Sequence, residues 1–92
     1  MNKHQTDSIK LHPQECGGDY TFSSEIYVTR GFKYAFGESF QWVVTNSLQM
    51  LQTERVRASG GADYLQVFDY EGIRYWCIDD ITHITFLLPE DY

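Results

Sequence analysis

Between Glu38 and Arg57 the apolar residues recur at spacings of three and four. Phe40, Val43, Val44, Leu48 and Leu51 share one side of a helix, and Gln41, Thr45, Asn46, Gln49, Gln52 and Thr53 take the other. Glu38 at the start and Arg55 and Arg57 at the end suit the helix dipole. Ser59-Gly60-Gly61 then stops the helix, since glycine tolerates the left-handed backbone of a helix end. Upstream, residues 20–30 are rich in β-branched and aromatic types, with Ile26 and Val28 alternating against Glu25, Tyr27 and Thr29, which predicts a strand. Gly31 and Gly37 bracket a short connection. Residues 1–19 are polar, carry Pro13 and Gly17-Gly18, and read as a flexible or loosely docked N-terminal arm.

After residue 62 the period changes to that of strands. Glu71-Gly72 fits a two-residue hairpin loop, which pairs Tyr70 with Ile73, Asp69 with Arg74, Phe68 with Tyr75, Val67 with Trp76 and Leu65 with Ile78. In this register the single base of the region lies opposite an acid, a favourable cross-strand pair. A second turn at Asp79-Asp80 sets Ile78 against Ile81, Trp76 against His83 and Tyr75 against Ile84. One face then holds Phe68, Tyr70, Ile73, Tyr75, Cys77, Ile84, Phe86 and Leu88 and should cover the helix. The other holds Asp69, Arg74 and Thr85 at one end and Val67, Trp76, His83, Leu65, Ile78 and Ile81 toward the other.

The expected fold is α+β: one amphipathic helix on a small, mainly antiparallel four-stranded sheet with a C-terminal β-meander. Residues 1–19 form the arm and 20–92 one domain. An outer sheet face is normally polar. This one is apolar at its centre, so either the arm folds over it or it is an interface.

Charge sharpens that choice. Of the net −6, residues 1–57 contribute nothing, with six bases and six acids, while 58–92 carry seven acids against Arg74 alone. Phosphate binding needs a basic patch, so direct contact with nucleic acid is excluded. No apolar run reaches spanning length and the first residues lack the apolar core of a signal peptide, which points to the cytoplasm and to no membrane partner. Ninety-two residues make one domain, and an aromatic share of 16% supplies the large rings that a short chain needs to fill a core. Two cysteines in a reducing compartment are expected as free thiols.

Val28-Thr29-Arg30-Gly31, the helix after it, Asp63-Tyr64-Leu65-Gln66-Val67-Phe68, Ile78-Asp79-Asp80 and the ending Leu87-Leu88-Pro89-Glu90-Asp91-Tyr92 resemble a domain-of-unknown-function family first catalogued in staphylococci. Its members are small acidic proteins of Firmicutes, often encoded on phages and mobile cassettes. The resemblance covers about residues 25–92. Family members have a longer stretch between the Asp-Tyr-Leu-Gln-Val-Phe block and the closing strands. The resemblance implies a genomic neighbourhood and carries over no catalytic residue.

Candidate chemistry is sparse. Asp79, Asp80 and His83 could form an acid/base cluster of a small hydrolase, yet paired aspartates at turns ordinarily bond nearby backbone amides. His4, His12 and Cys16 have ligand-compatible types without zinc-site spacing, so neither a metal nor another cofactor is expected. The residues thus favour a binding protein, and the resemblance implies a phage or mobile-element inhibitor of a host protein, such as a basic defence nuclease of the CRISPR or restriction type, whose nucleic-acid cleft acids can occupy. A self-associating module pairing two outer faces is the alternative, so a homodimer is open. The binding surface is expected to centre on Trp76 with Leu65, Ile78 and Ile81, rimmed by Asp69, Glu71, Asp79 and Asp80.

Overall fold

A computed structural model of the protein describes residues 9–92. Strand β1 (Lys10–Leu11) and strand β2 (Glu25–Val28) precede two helices, α1 (Arg30–Phe36) and α2 (Phe40–Leu51), joined by a 3-10 turn at Gly37–Ser39. Helix α2 widens into a π-helical turn at Gln52–Val56, and strands β3 (Leu65–Tyr70), β4 (Ile73–Asp79) and β5 (His83–Leu87) follow, then a 3-10 turn at Pro89–Asp91. The sheet has the order β1-β3-β4-β5-β2. All neighbours are antiparallel except β2, which runs parallel to β5. Strands β2 and β3 therefore point the same way, and α1 and α2 form the crossover between them. The class is α+β, with five strands rather than four, because β1 adds to the edge of β3.

The first hairpin matches its sequence register residue for residue, from Leu65 opposite Ile78 to Tyr70 opposite Ile73. Its loop is Glu71-Gly72, with φ of 52° and 80°. Two positive φ values give the turn whose twist matches that of the strands. The second turn differs from its expected place. Strand β4 continues through Asp79, which faces Ile84, and Trp76 faces Leu87 rather than His83. The loop is wider because Asp80 organises it: its Oδ1 accepts hydrogen bonds from the amides of Thr82 (3.1 Å) and His83 (2.9 Å). The slip is four residues, an even number, so every side chain of β5 keeps its predicted face.

The inner face is filled around Tyr75. Its ring stacks on Phe68 (centroids 5.1 Å apart, planes 3° apart) and meets the edges of Phe32 at 5.3 Å and Phe36 at 5.4 Å. Its hydroxyl shares a 2.6 Å hydrogen bond with that of Ser47. Burial in this apolar setting pushes the phenol far above its ordinary value. Ser47 is a buried position of α2 together with Val43, Val44 and Leu51, whereas the predicted Leu48 is only half-buried. A polar residue occupies the centre of the helix's apolar stripe because the tyrosine hydroxyl opposite requires a partner.

Helix α1 replaces the short connection expected between Gly31 and Gly37. Thr29 caps it, accepting the Phe32 amide at 3.2 Å, and Phe32 and Phe36 stack one turn apart at 4.8 Å. The Thr29 hydroxyl in turn donates to Asp91 Oδ2 at 2.7 Å, which also accepts the Leu88 amide at 3.0 Å. A Cβ on Gly31 would lie 2.5 Å from Asp91 Oδ1, so only glycine lets that carboxylate dock. The Thr-Arg-Gly and Leu-Leu-Pro-Glu-Asp motifs are two halves of one contact.

Within the flexible or loosely docked arm expected at residues 1–19, residues 9–19 are docked by specific contacts; residues 1–8 lie outside the described residues. Ile9 is buried in the core and the His12 amide donates to Val67 O at 2.9 Å. The Gln14 amide group bonds Gly61 O, the Asp63 amide and Gln66, while Arg55 Nη2 donates to His12 O. The chain then passes the end of the sheet, with Gly18 bonded to Gly60 and Tyr20 to Ala62, and reaches β2 on the opposite edge. Its backbone runs along the edge and end of the sheet, while the His12 side chain reaches the outer face at Asp69 and Arg74.

Tyr75→Phe should lower unfolding free energy by about 1 kcal/mol, the net value of one buried hydrogen bond, and Tyr75→Ala by about 3–5 kcal/mol through cavity formation. Denaturant titration measures both, and a Tyr75→Ala variant of unchanged midpoint would contradict the packing. Gly31→Ala should displace Asp91 and cost about 1 kcal/mol for the lost cap contacts, while Asp91→Ala combined with it should cost little more. Additive losses would show that the two sites are not in contact.

Candidate functional site

Alternation along the strands places Leu65, Val67 and Asp69 of β3, Arg74, Trp76 and Ile78 of β4, and His83, Thr85 and Leu87 of β5 on the outer face. Parallel pairing adds Glu25 and Tyr27 of β2 to it. Trp76 lies in a row with Val67 and Leu87, and Ile78 in a row with Leu65 and Thr85. Leu65, Val67, Trp76 and Ile78 are half-buried and Leu87 is buried, with Tyr92 against Trp76 and residues 12–16 beside Leu65 and Val67. Tyr92 stands edge-on to Trp76 at 5.6 Å and Tyr27 stacks by His83 at 4.6 Å, so aromatic rings bound the patch on two sides. Two members were not foreseen. Leu87 was hidden in the unbroken apolar run Phe86-Leu87-Leu88, and Tyr27 was visible as the alternate of Ile26 and Val28.

The predicted rim is only partly realised. Glu71 is exposed in the hairpin loop. Asp69 lies on the outer face but is neutralised there: Arg74 Nε donates to its Oδ1 at 3.0 Å and His12 Nε2 lies 2.7 Å from its Oδ2. Arg74 first and His12 second hold its carboxyl at about 2. Asp79 is not at the rim at all. It points to the inner side, is 3% exposed, and its two oxygens accept the amides of Phe22 (2.9 Å) and Ile81 (2.8 Å). A strand residue facing the core must satisfy its charge internally, and these two amides do so. Ile81 does not pair with Ile78; it sits in the turn with φ of 82° and 72% exposure.

Acids do gather at one end of the face. Asp80 is exposed at the turn, Glu25 begins β2, and Asp63 precedes β3. Hydrogen bonds from the His83 amide and from Thr82 keep the Asp80 carboxyl below its usual range, so it stays ionised. The opposite end carries Lys10 and the exposed Glu71 together with the compensated Asp69 and Arg74. The apolar strip thus runs from a charge-balanced end to an acidic one.

Asp79, Asp80 and His83 do not converge. A cleft of about 560 Å³ is lined by Tyr20, Thr21, Ser24, Asp79 and Ile81 among others, but by neither Asp80 nor His83. His83 Nε2 instead lies 3.3 Å from Asp80 Oδ2 on the surface. Cys16 is exposed with its thiol 3.8 Å from Asp63, while Cys77 is buried on β4, where burial pushes its thiol well up. Among the described residues no three His, Cys, Asp or Glu side chains form a metal set, and no helix is long and apolar enough to cross a membrane. His4 lies outside the described residues.

The Asp69 pair generates a pH response. Its folded pKa of about 2 lies below the ordinary 3.8, so its stabilisation is complete above pH 3.8 and lost as pH falls toward 2. The side chain is 34% exposed, so solvent screening keeps the effect small. Asp69→Asn should therefore flatten the fall in melting temperature through that window, and an unchanged slope would show that the pair contributes nothing to stability. Scans of protein-family models, of curated proteins and of solved structures each find no match to this chain, so the case for a function rests on the surface just described.

Proposed function

We propose that this protein is a non-catalytic binding module that docks a partner protein on the open face of its sheet. The observation that carries this reading is the apolar strip of Leu65, Val67, Trp76 and Ile78, which no helix among the described residues covers and which stays partly exposed between Tyr92 at one side and residues 12–16 at the other. A contiguous apolar face bounded by aromatics and acids is the composition of a recognition surface. Trp76, the largest side chain at its centre, is the anchor, because buried aromatics dominate binding energy at such sites.

The acids at one end give the partner a sign. Glu25, Asp63 and Asp80 favour a partner with a basic rim, and their field speeds its approach more than it tightens the complex. A host nuclease with a basic nucleic-acid cleft fits, and the resemblance to proteins of phages and mobile cassettes makes inhibition of a defence nuclease the specific form of the proposal. Burial of Asp79 and its separation from His83 support a binding role over hydrolysis.

The test is inhibition of DNA cleavage by the host's CRISPR and restriction nucleases, with Trp76→Ala and Asp80→Lys as the variants. Trp76→Ala should raise the inhibition constant about 30-fold, corresponding to roughly 2 kcal/mol, and Asp80→Lys should mainly slow association. Absence of inhibition would remove the nuclease reading. A nuclease inhibited equally well by Trp76→Ala would remove the open face as the docking site.

A further inference from the structure

We infer that the free edge of β2 pairs with β2 of a second copy of this chain, joining two five-stranded sheets across a two-fold axis. This inference is independent of what docks on the open face. Strand β2 is terminal in the sheet order, so one side of it has no strand neighbour among the described residues. The Thr29 amide donates to Phe86 O at 3.0 Å, which shows that the odd-numbered residues turn their backbone groups toward β5. Alternation then places the N–H and C=O groups of Ile26 and Val28 on the free edge. Natural edges are blunted by Pro, by charged side chains, especially Lys, by a bulge or by shortness. Glu25-Ile26-Tyr27-Val28 is short and begins with an acid, but it has no Pro, Lys or bulge at its centre and its register with β5 is unbroken.

The strand complements itself in one register. Antiparallel strands exchange hydrogen bonds only through residues whose backbone groups face the partner. Placing Ile26 opposite Val28 of the second copy uses all the free groups of both strands. The two-fold axis then falls at Tyr27, which meets Tyr27 of the second copy at a non-hydrogen-bonded position, where side chains approach most closely. Ile26 and Tyr27 are 44% and 51% exposed, unusually open for strand residues of these types, and this pairing covers both. Charge agrees: Glu25 begins the strand while Arg30 and Lys33 follow it, so antiparallel pairing lays each acidic end beside the other copy's basic end. Isoleucine faces valine and tyrosine faces tyrosine, and that self-match identifies the second copy as the occupant.

Sedimentation velocity on the full chain tests this with three variants. Wild type should sediment at twice the monomer mass of 10.8 kDa. Ile26→Pro removes an outward donor without touching the ladder to β5, as proline is tolerated on an edge. Tyr27→Glu places two like charges at the axis. Both should weaken association at least about tenfold, a modest loss for a cross-strand pairing, whereas Trp76→Ala should remain dimeric. Wild type monomeric at every concentration would overturn the inference. So would a dimer that survives Tyr27→Glu, and loss of that dimer in Trp76→Ala would assign it to the open faces instead. Should circular dichroism show Ile26→Pro unfolded, Tyr27→Glu decides alone.

Discussion

Tyr75 is the point at which every layer of the molecule meets. Its ring touches Phe68 of β3, Phe86 of β5 and Phe32 and Phe36 of α1, and its hydroxyl reaches Ser47 of α2. A domain of this length has little apolar area to spare, so one large ring packed on all sides has a disproportionate share in ordering the elements around it. The polar tip is what makes the arrangement specific. Any apolar ring could fill the volume, but only a hydroxyl accounts for a buried serine in the middle of α2's apolar stripe.

That concentration of aromatics on one side leaves the other side of the sheet without a helix among the described residues, bordered by His12 and Tyr92. Both helices belong to a single crossover, so both lie on the Tyr75 face, and the N-terminal segment is spent along the edges and end of the sheet. The carboxylates divide in the same way. Asp79 and Asp91 serve the fold, one bonding two amides and the other docking on the cap of α1. Asp69 is absorbed by Arg74 and His12. Glu25, Asp63 and Asp80 are left to give the open face its electrostatic character.

The parts of this architecture that were legible in the sequence are those with a local cause. Glu71-Gly72 dictates a hairpin loop and Asp69 opposite Arg74 confirms its register, so β3 and β4 could be aligned without a structure. The helical stripe was equally readable, apart from Ser47, whose burial depends on Tyr75 across the core. Helix α1 was missed because Gly31 looks like a breaker; its glycine is needed for Asp91, sixty residues away, and nothing local signals that. The second turn was misplaced for a similar reason. Asp79 looks like a turn residue until Phe22 supplies an amide from the far edge. Strand β1 and the binding of residues 9–19 depend on Gln14, Gln66 and Arg55, long-range polar contacts that leave no periodic trace. Of the site, Trp76, Leu65 and Ile78 were readable from alternation, while the rim depended on which acids the fold consumes.

The central claim is that the face bearing Trp76 is open to solvent while the face bearing Tyr75 is closed. Acrylamide quenching of Trp76 fluorescence, measured in a Trp42→Phe background so that one indole reports, tests it most directly. The account predicts a partly exposed indole that acrylamide quenches, with the same accessibility whether or not the chain associates through β2. A Trp76 shielded from quencher in the isolated protein would contradict it, by showing that the chain covers its own outer face.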